Sequence, residues 1–126
     1  MSCLDHVGIV VADFARSRAF YERALEPLGI RTVMLFAEGG NFAGLGASTP
    51  DFWIGDQGPP SQPIHVAFAA ADRAAVDAFH RAALAAGGRD NGAPGLRPQY
   101  HPQYYAAFVL DPDGHNIEAV HHGNAG

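Results

Sequence analysis

The chain contains no lysine and a single cysteine, Cys3, in 126 residues. One cysteine cannot close an internal disulfide, which excludes a stapled secreted scaffold and fits a reducing compartment. The eight basic residues are all arginines, scattered from Arg16 to Arg97 against thirteen acidic residues, for a net charge of −5. No basic patch forms, so nucleic acid is not an expected partner. No apolar run approaches the roughly 20 residues of a membrane span, and no basic stretch leads a long apolar segment at the N-terminus. A cytoplasmic protein without a membrane partner is expected. What is present is 48% hydrophobic and 17% charged residues, enough core for one globular domain over residues 1–126. Seven histidines are the unusual count.

One of them stands in "LDHVGIVVAD", residues 4–13, an apolar strand-like run. Side chains alternate across a strand, so Leu4, His6, Gly8 and Val10 share one face. Val7, Ile9 and Val11 share the other, a uniformly bulky face suited to packing on a helix. His6 therefore points to the side where its neighbour is trimmed to glycine. Taken alone, it reads first as a core histidine satisfied by a carbonyl and only then as the wall of a pocket. A second stretch, "PIHVAFAAAD" at 63–72, changes that balance. Setting His65 on His6 gives an offset of 59 residues (65 − 6), and the agreement continues without a gap. Val7 matches Val66, Asp13 matches Asp72, Phe20 matches Phe79, Ala24 matches Ala83 and Gly29 matches Gly88. The chain is a duplicated module. His65 likewise shares its face with small residues, Ala67 and Ala69.

Each module reads as strand, helix, then three strands. Asp13 and Asp72 are N-cap residues by position, and Gly29 and the Gly87–Gly88 pair end the helices. Phe20, Tyr21, Ala24, Leu25 and Leu28 form the first apolar stripe, and Val76, Phe79, Ala83 and Leu84 form the second. "IRTVMLFA", "NFAGLGA" and "DFWIGD" are the strands of module 1, which spans about 1–57. "GPPSQP", 58–63, is the linker, and module 2 spans about 64–122. There the pattern weakens: a strand is expected at 89–92, then a loop over "GAPGLRPQYHPQ". The run "YYAAFVLDPDGHNIEAVHH" reads as strand, tight turn and strand, with the turn at Asp-Pro-Asp-Gly.

Asn116, Glu118 and Val120 share one face of that final strand. Glu118, between Ile117 and Ala119, is an anion in a half-buried strand and requires a positive partner, either an arginine or a metal ion. Two imidazoles and a carboxylate are the donor set of many catalytic Zn²⁺, Fe²⁺ and Mn²⁺ sites.

The segments "LDHVGIVVADFARSRAFYERAL", "PIHVAFAAADRAAVDAFHRAAL" and "FVLDPDGHNIEAV" resemble the glyoxalase / bleomycin-resistance / extradiol-dioxygenase group, the vicinal oxygen chelate superfamily. The resemblance covers nearly the whole chain. It implies an α+β fold of two tandem βαβββ modules forming a curled mixed sheet around a metal-binding cleft. It further implies a homodimer whose site draws ligands from one or both chains, and one divalent ion (Fe²⁺, Mn²⁺, Ni²⁺ or Zn²⁺). His6, His65 and Glu118 fall on the group's metal-ligand positions, with Glu118 also the catalytic candidate. The implied activity is Lewis-acid catalysis on a small oxygen-bearing substrate, as a lyase, isomerase or dioxygenase. The alternative is a metal-free antibiotic-binding protein of the bleomycin-resistance type. One departure stands out. Glyoxalase I uses a fourth ligand, a glutamate on the last strand of module 1, where this chain offers Trp53, Ile54 or Asp56.

Substrate-binding candidates are Trp53 as a pocket wall, Arg97 in a site loop, and His101 and Tyr105 beside it. Tyr100 and Tyr104 belong to the same aromatic cluster. His115 reads as a turn residue, His80 as a helix residue, and His121 and His122 as part of a fraying C-terminus. Cys3 has no base beside it in sequence.

Overall fold

A computed structural model of the chain describes residues 3–123. The first half runs β1 (Val7–Val10), α1 (Phe14–Ala24), a 3₁₀ turn (Glu26–Leu28), β2 (Arg31–Phe36), β3 (Phe42–Gly46) and β4 (Phe52–Gly55). The second repeats it with β5 (His65–Ala69), α2 (Arg73–Ala85), β6 (Arg89–Leu96), β7 (Tyr105–Leu110) and β8 (Asn116–His121). The strands form two four-stranded sheets, ordered β1-β4-β3-β2 and β5-β8-β7-β6. In each, the first strand pairs parallel with the last and the other pairs are antiparallel. This is an α+β fold of two βαβββ units, with β1 and β5 on sheet edges.

Local chemistry explains the elements. The Asp13 carboxylate accepts from the Arg16 N–H and that of Asp72 from the Ala75 N–H, satisfying donors that a helix start leaves open. The duplicated stripes then pack inward: Phe20, Tyr21, Ala24 and Leu25 from the first half meet Val76, Phe79 and Ala83 from the second. Leu84, expected in the second stripe, is 36% exposed, because it is turned about 100° round the helix from buried Ala83 and off the Val76–Phe79–Ala83 face. The helix sides of both sheets join this core, with Ile9, Ile54 and Phe52 from one and Phe68, Ala119 and Val109 from the other. Phe52 and Phe68 meet edge to face at 5.3 Å across the two halves. Each such buried aromatic stabilises the fold by about 1.5–3 kcal/mol.

Three segments depart from the sequence reading. The first strand begins at Val7, so His6 lies just before it. Beyond the expected 89–92 strand, β6 continues to Leu96 through Gly92, Pro94 and Gly95. It can do so because it is an edge strand, where proline is tolerated, and because its register shifts between Asp90 and Gly92 and again before Gly95. His115 is more than a turn residue: it is fully buried, and its Nδ1 accepts from the Ile64 N–H at 3.0 Å. The linker is tied down too, since Ser61 Oγ accepts from the Val10 N–H at 2.9 Å.

The Asp-Pro-Asp-Gly turn fastens the halves together. Asp111 Oδ1 accepts from the N–H groups of Asp113 (2.9 Å) and His115 (2.8 Å), while Tyr21 Oη donates to its Oδ2. Asp113 accepts from the Ala12 N–H at 3.0 Å and from Arg16 at 2.9 Å. A turn of the second sheet is thus docked on the start of α1.

Candidate metal centre

Strand alternation sends one face of each sheet to the helices and the other away from them. On the outward face of the second sheet, His65 lies opposite Asn116, and Ala67 lies opposite Glu118, which lies opposite Phe108. Ala67 and Ala69 carry only methyl groups, so this face stays open beside His65. Glu118 is nonetheless only 1% exposed. His65 Nε2–H donates to Glu118 Oε1 at 2.8 Å, and the His65 side chain is 51% exposed. The other oxygen, Oε2, accepts from Tyr104 Oη. Burial, then the bond to Glu118 and its charge, push the Tyr104 phenol up to about 12, so it remains a donor at neutral pH. The chain has no lysine, and among the described residues no arginine lies in ion-pair range of Glu118. A buried carboxylate served by one imidazole and one phenol retains capacity for a cation.

His6 is half exposed, and its Nδ1 pairs with Asp5 at 2.7 Å. It lines the same groove as His65, a space of about 650 Å³ between the β1 and β5 edges. Among the described residues no three His, Cys, Asp or Glu side chains converge to hold a metal ion. Two donors of the expected set are joined in one chain, and the third lines the groove that His65 also lines.

The repeat decides which residue of the first half corresponds to Glu118. Gly8 pairs with Trp53 as Ala67 pairs with Glu118, and Gly8 and Ala67 are related by the 59-residue offset. Trp53 is therefore the counterpart of Glu118. Its indole stacks on Phe36, with centroids 6.1 Å apart, and lies over Gly44, where an added Cβ would come within 2.9 Å of Cζ2 and Cη2. Ile54 is in the core, and Asp56 is engaged by the Asn41 backbone (2.9 Å) and side chain (2.7 Å).

The remaining candidates divide. Arg97 is placed over the Phe108 ring at 5.3 Å, on the Glu118 side of the sheet. Its guanidinium donates to the carbonyls of Gly95 and Ala93, both at 2.8 Å. His101 accepts from the Gln103 N–H through Nδ1 at 3.0 Å, so its Nε2–H donates to His122 Nδ1 at 2.8 Å. His122, expected to fray, is held by that bond, and His121 Nδ1–H donates to the Ala70 carbonyl at 3.1 Å. Tyr105 turns to the helix side, donating to Asp77 at 2.6 Å beneath the Arg73 guanidinium. It lies on the face opposite Glu118, whereas its neighbour Tyr104 reaches the carboxylate. Counting back by twos from Phe108 identifies Tyr104 once the register across the turn is known. His80 pairs with Asp90 at 2.9 Å, and Cys3 is exposed.

No helix is long and apolar enough to cross a membrane. The chain resembles a glyoxalase/bleomycin resistance protein from Albidiferax ferrireducens at 33% identity, with a TM-score of 0.78 over 97% of this chain and 100% of that one. Its fold is shared with a glyoxalase/bleomycin resistance protein/dioxygenase family enzyme from Burkholderia phytofirmans (20% identity, TM-score 0.71, covering 97% of this chain and 100% of that one). It is shared also with glyoxalase I from Zea mays (22% identity, TM-score 0.71), where the match covers 93% of this chain and 43% of that longer one. No curated protein matches the chain. The family model matches residues 3–119, and the protein belongs to the glyoxalase/bleomycin resistance protein/dioxygenase superfamily.

Proposed function

We propose that this protein is a divalent-metal-dependent enzyme acting on a small oxygen-bearing substrate. His65 and Glu118 of one chain and His6, brought in by a second copy, would hold the ion. The observation that carries the reading is Glu118: a carboxylate 1% exposed, with an imidazole at 2.8 Å and no arginine among the described residues to neutralise it. A bound ion would supply Lewis-acid polarisation of one or two substrate oxygens. The chain's own groups do the rest. The alanine face beside His65 leaves room for a small substrate. Phe108 with Arg97 above it offers an apolar floor and a positive edge. Association is supported by the apolar side chains left open on β2, since Met34, Leu35 and Phe36 are each exposed by 41–51%.

The test is titration of the purified full chain with Co²⁺, Ni²⁺ or Zn²⁺ by calorimetry, comparing wild type with His65→Ala and His115→Ala. Wild type should bind, and His65→Ala should lose most of the affinity. His115→Ala, which changes a buried histidine off the Glu118 face, should bind nearly as wild type wherever it remains folded. Absence of binding in wild type would overturn the reading and favour a metal-free small-molecule binding protein.

A further inference from the structure

Tyr104 is partly buried and is held by ring contacts and by its backbone. Its ring is caged by Tyr100 (centroids 4.9 Å apart), His101 (5.4 Å) and His122 (5.2 Å). Its carbonyl accepts from the Arg97 N–H at 2.7 Å, and its N–H donates to the His101 carbonyl at 3.1 Å. The His101–His122 bond ties this loop to the residue that follows β8. These contacts orient the phenol, and its hydroxyl is aimed at Glu118 Oε2.

The two oxygens of Glu118 thereby have different duties. Rotation about the last side-chain torsion of a glutamate is soft, so a free carboxylate presents either oxygen, or both. Here Oε2 is occupied by the phenol and Oε1 faces His65 Nε2. We propose that Tyr104 is a positioning residue for metal capture, holding Oε2 so that Oε1 alone is presented, together with His65, to a divalent cation. The proposal rests on the metal reading above. Groups that orient a ligand from behind commonly change metal affinity 10–100-fold when removed.

Tyr104→Phe keeps the ring in its cage and deletes only the hydroxyl. Tyr100→Phe is the matched control, deleting a hydroxyl from the same cage away from the Glu118 bond. Both are compared with wild type by Co²⁺ titration followed through visible ligand-field absorption, with thermal melting of each metal-free protein alongside. Tyr104→Phe should bind Co²⁺ about 10–100-fold more weakly. It should also give a ligand-field band of altered position and intensity, because both oxygens become available. Tyr100→Phe should match wild type in both readouts. If Tyr104→Phe melts earlier yet keeps the wild-type affinity and spectrum, its role is structural and the proposal is overturned. If wild type binds no Co²⁺, the metal reading falls first and the positioning role falls with it.

Discussion

Trp53 stands in the first sheet where Glu118 stands in the second. Each is the partner of the repeat-related position on its neighbouring first strand, Gly8 in one case and Ala67 in the other. The two halves thus share a scaffold but place an indole in one and an anion in the other. One half of the repeat supplies a carboxylate donor and the other a flat apolar wall stacked on Phe36. Placing an anion at the Trp53 position tests what this difference does. Under the metal reading, Trp53→Glu should tighten Zn²⁺ or Ni²⁺ binding about tenfold, roughly 1.4 kcal/mol, measured by calorimetry. Unchanged affinity would show that the Trp53 position does not face the ion.

The bond from Tyr21 to Asp111 should be a main fastening between the halves. Both residues are buried, and Asp111 also holds the turn before β8. Tyr21→Phe keeps the ring among Phe20 and Phe52 but leaves one carboxylate oxygen unpaired. The expected cost is about 1.5–3 kcal/mol, read from urea denaturation midpoints. A loss under about 0.5 kcal/mol would mean that the bond contributes little.

Alkali should destabilise the fold through its phenols. Tyr21 is raised well above the ordinary value by burial and then by Asp111, and Tyr104 is raised to about 12. Tyr105 is raised as well, chiefly by its bond to Asp77. A folded-state value above the unfolded one means stability fully present below pH 10 and lost as pH rises through the folded value. Melting temperature should therefore fall between pH 10 and 12. In the folded protein, phenolate absorbance should lag behind that of the urea-unfolded chain. Coincident titration curves would contradict these hydrogen bonds.

Under the proposed reading, a metal site shared between two chains predicts complementation between damaged chains. His6→Ala and Glu118→Ala homodimers should each bind metal poorly. Mixing them through partial unfolding and refolding should restore binding in the mixed dimers, with one intact site per dimer. Light scattering should report about twice the 13.3 kDa chain mass. No recovery in a preparation shown to contain mixed dimers would place all the ligands within one chain.

Much of this was legible in the sequence because it is periodic or local. The 59-residue repeat, the caps at Asp13 and Asp72, and the turn at Asp111–Gly114 depend on near neighbours and hydrophobic spacing, which a linear reading captures. The path of β6 was not legible. Its glycines and Pro94 look like a loop, and only an edge position with shifting register makes them a strand. Tyr104 and Tyr105 show the same limit at the site. Adjacent tyrosines are equivalent in composition, and alternation says only that they face opposite ways.

The sequence by itself determined the duplication, the two βαβββ units, and the placement of His65 and Glu118 on strands with small or acidic character. Tertiary structure alone decided which atoms meet. Pairing of β5 with β8 brought His65 against Glu118 across 53 residues, and pairing of β7 with β8 set Phe108 opposite that carboxylate. The sheet register also assigned Trp53, rather than Ile54 or Asp56, to the place matching Glu118. The reason is physical: a strand's own pattern fixes which residues share a face. Register between strands is set by the turns and by the collective burial of their opposite faces.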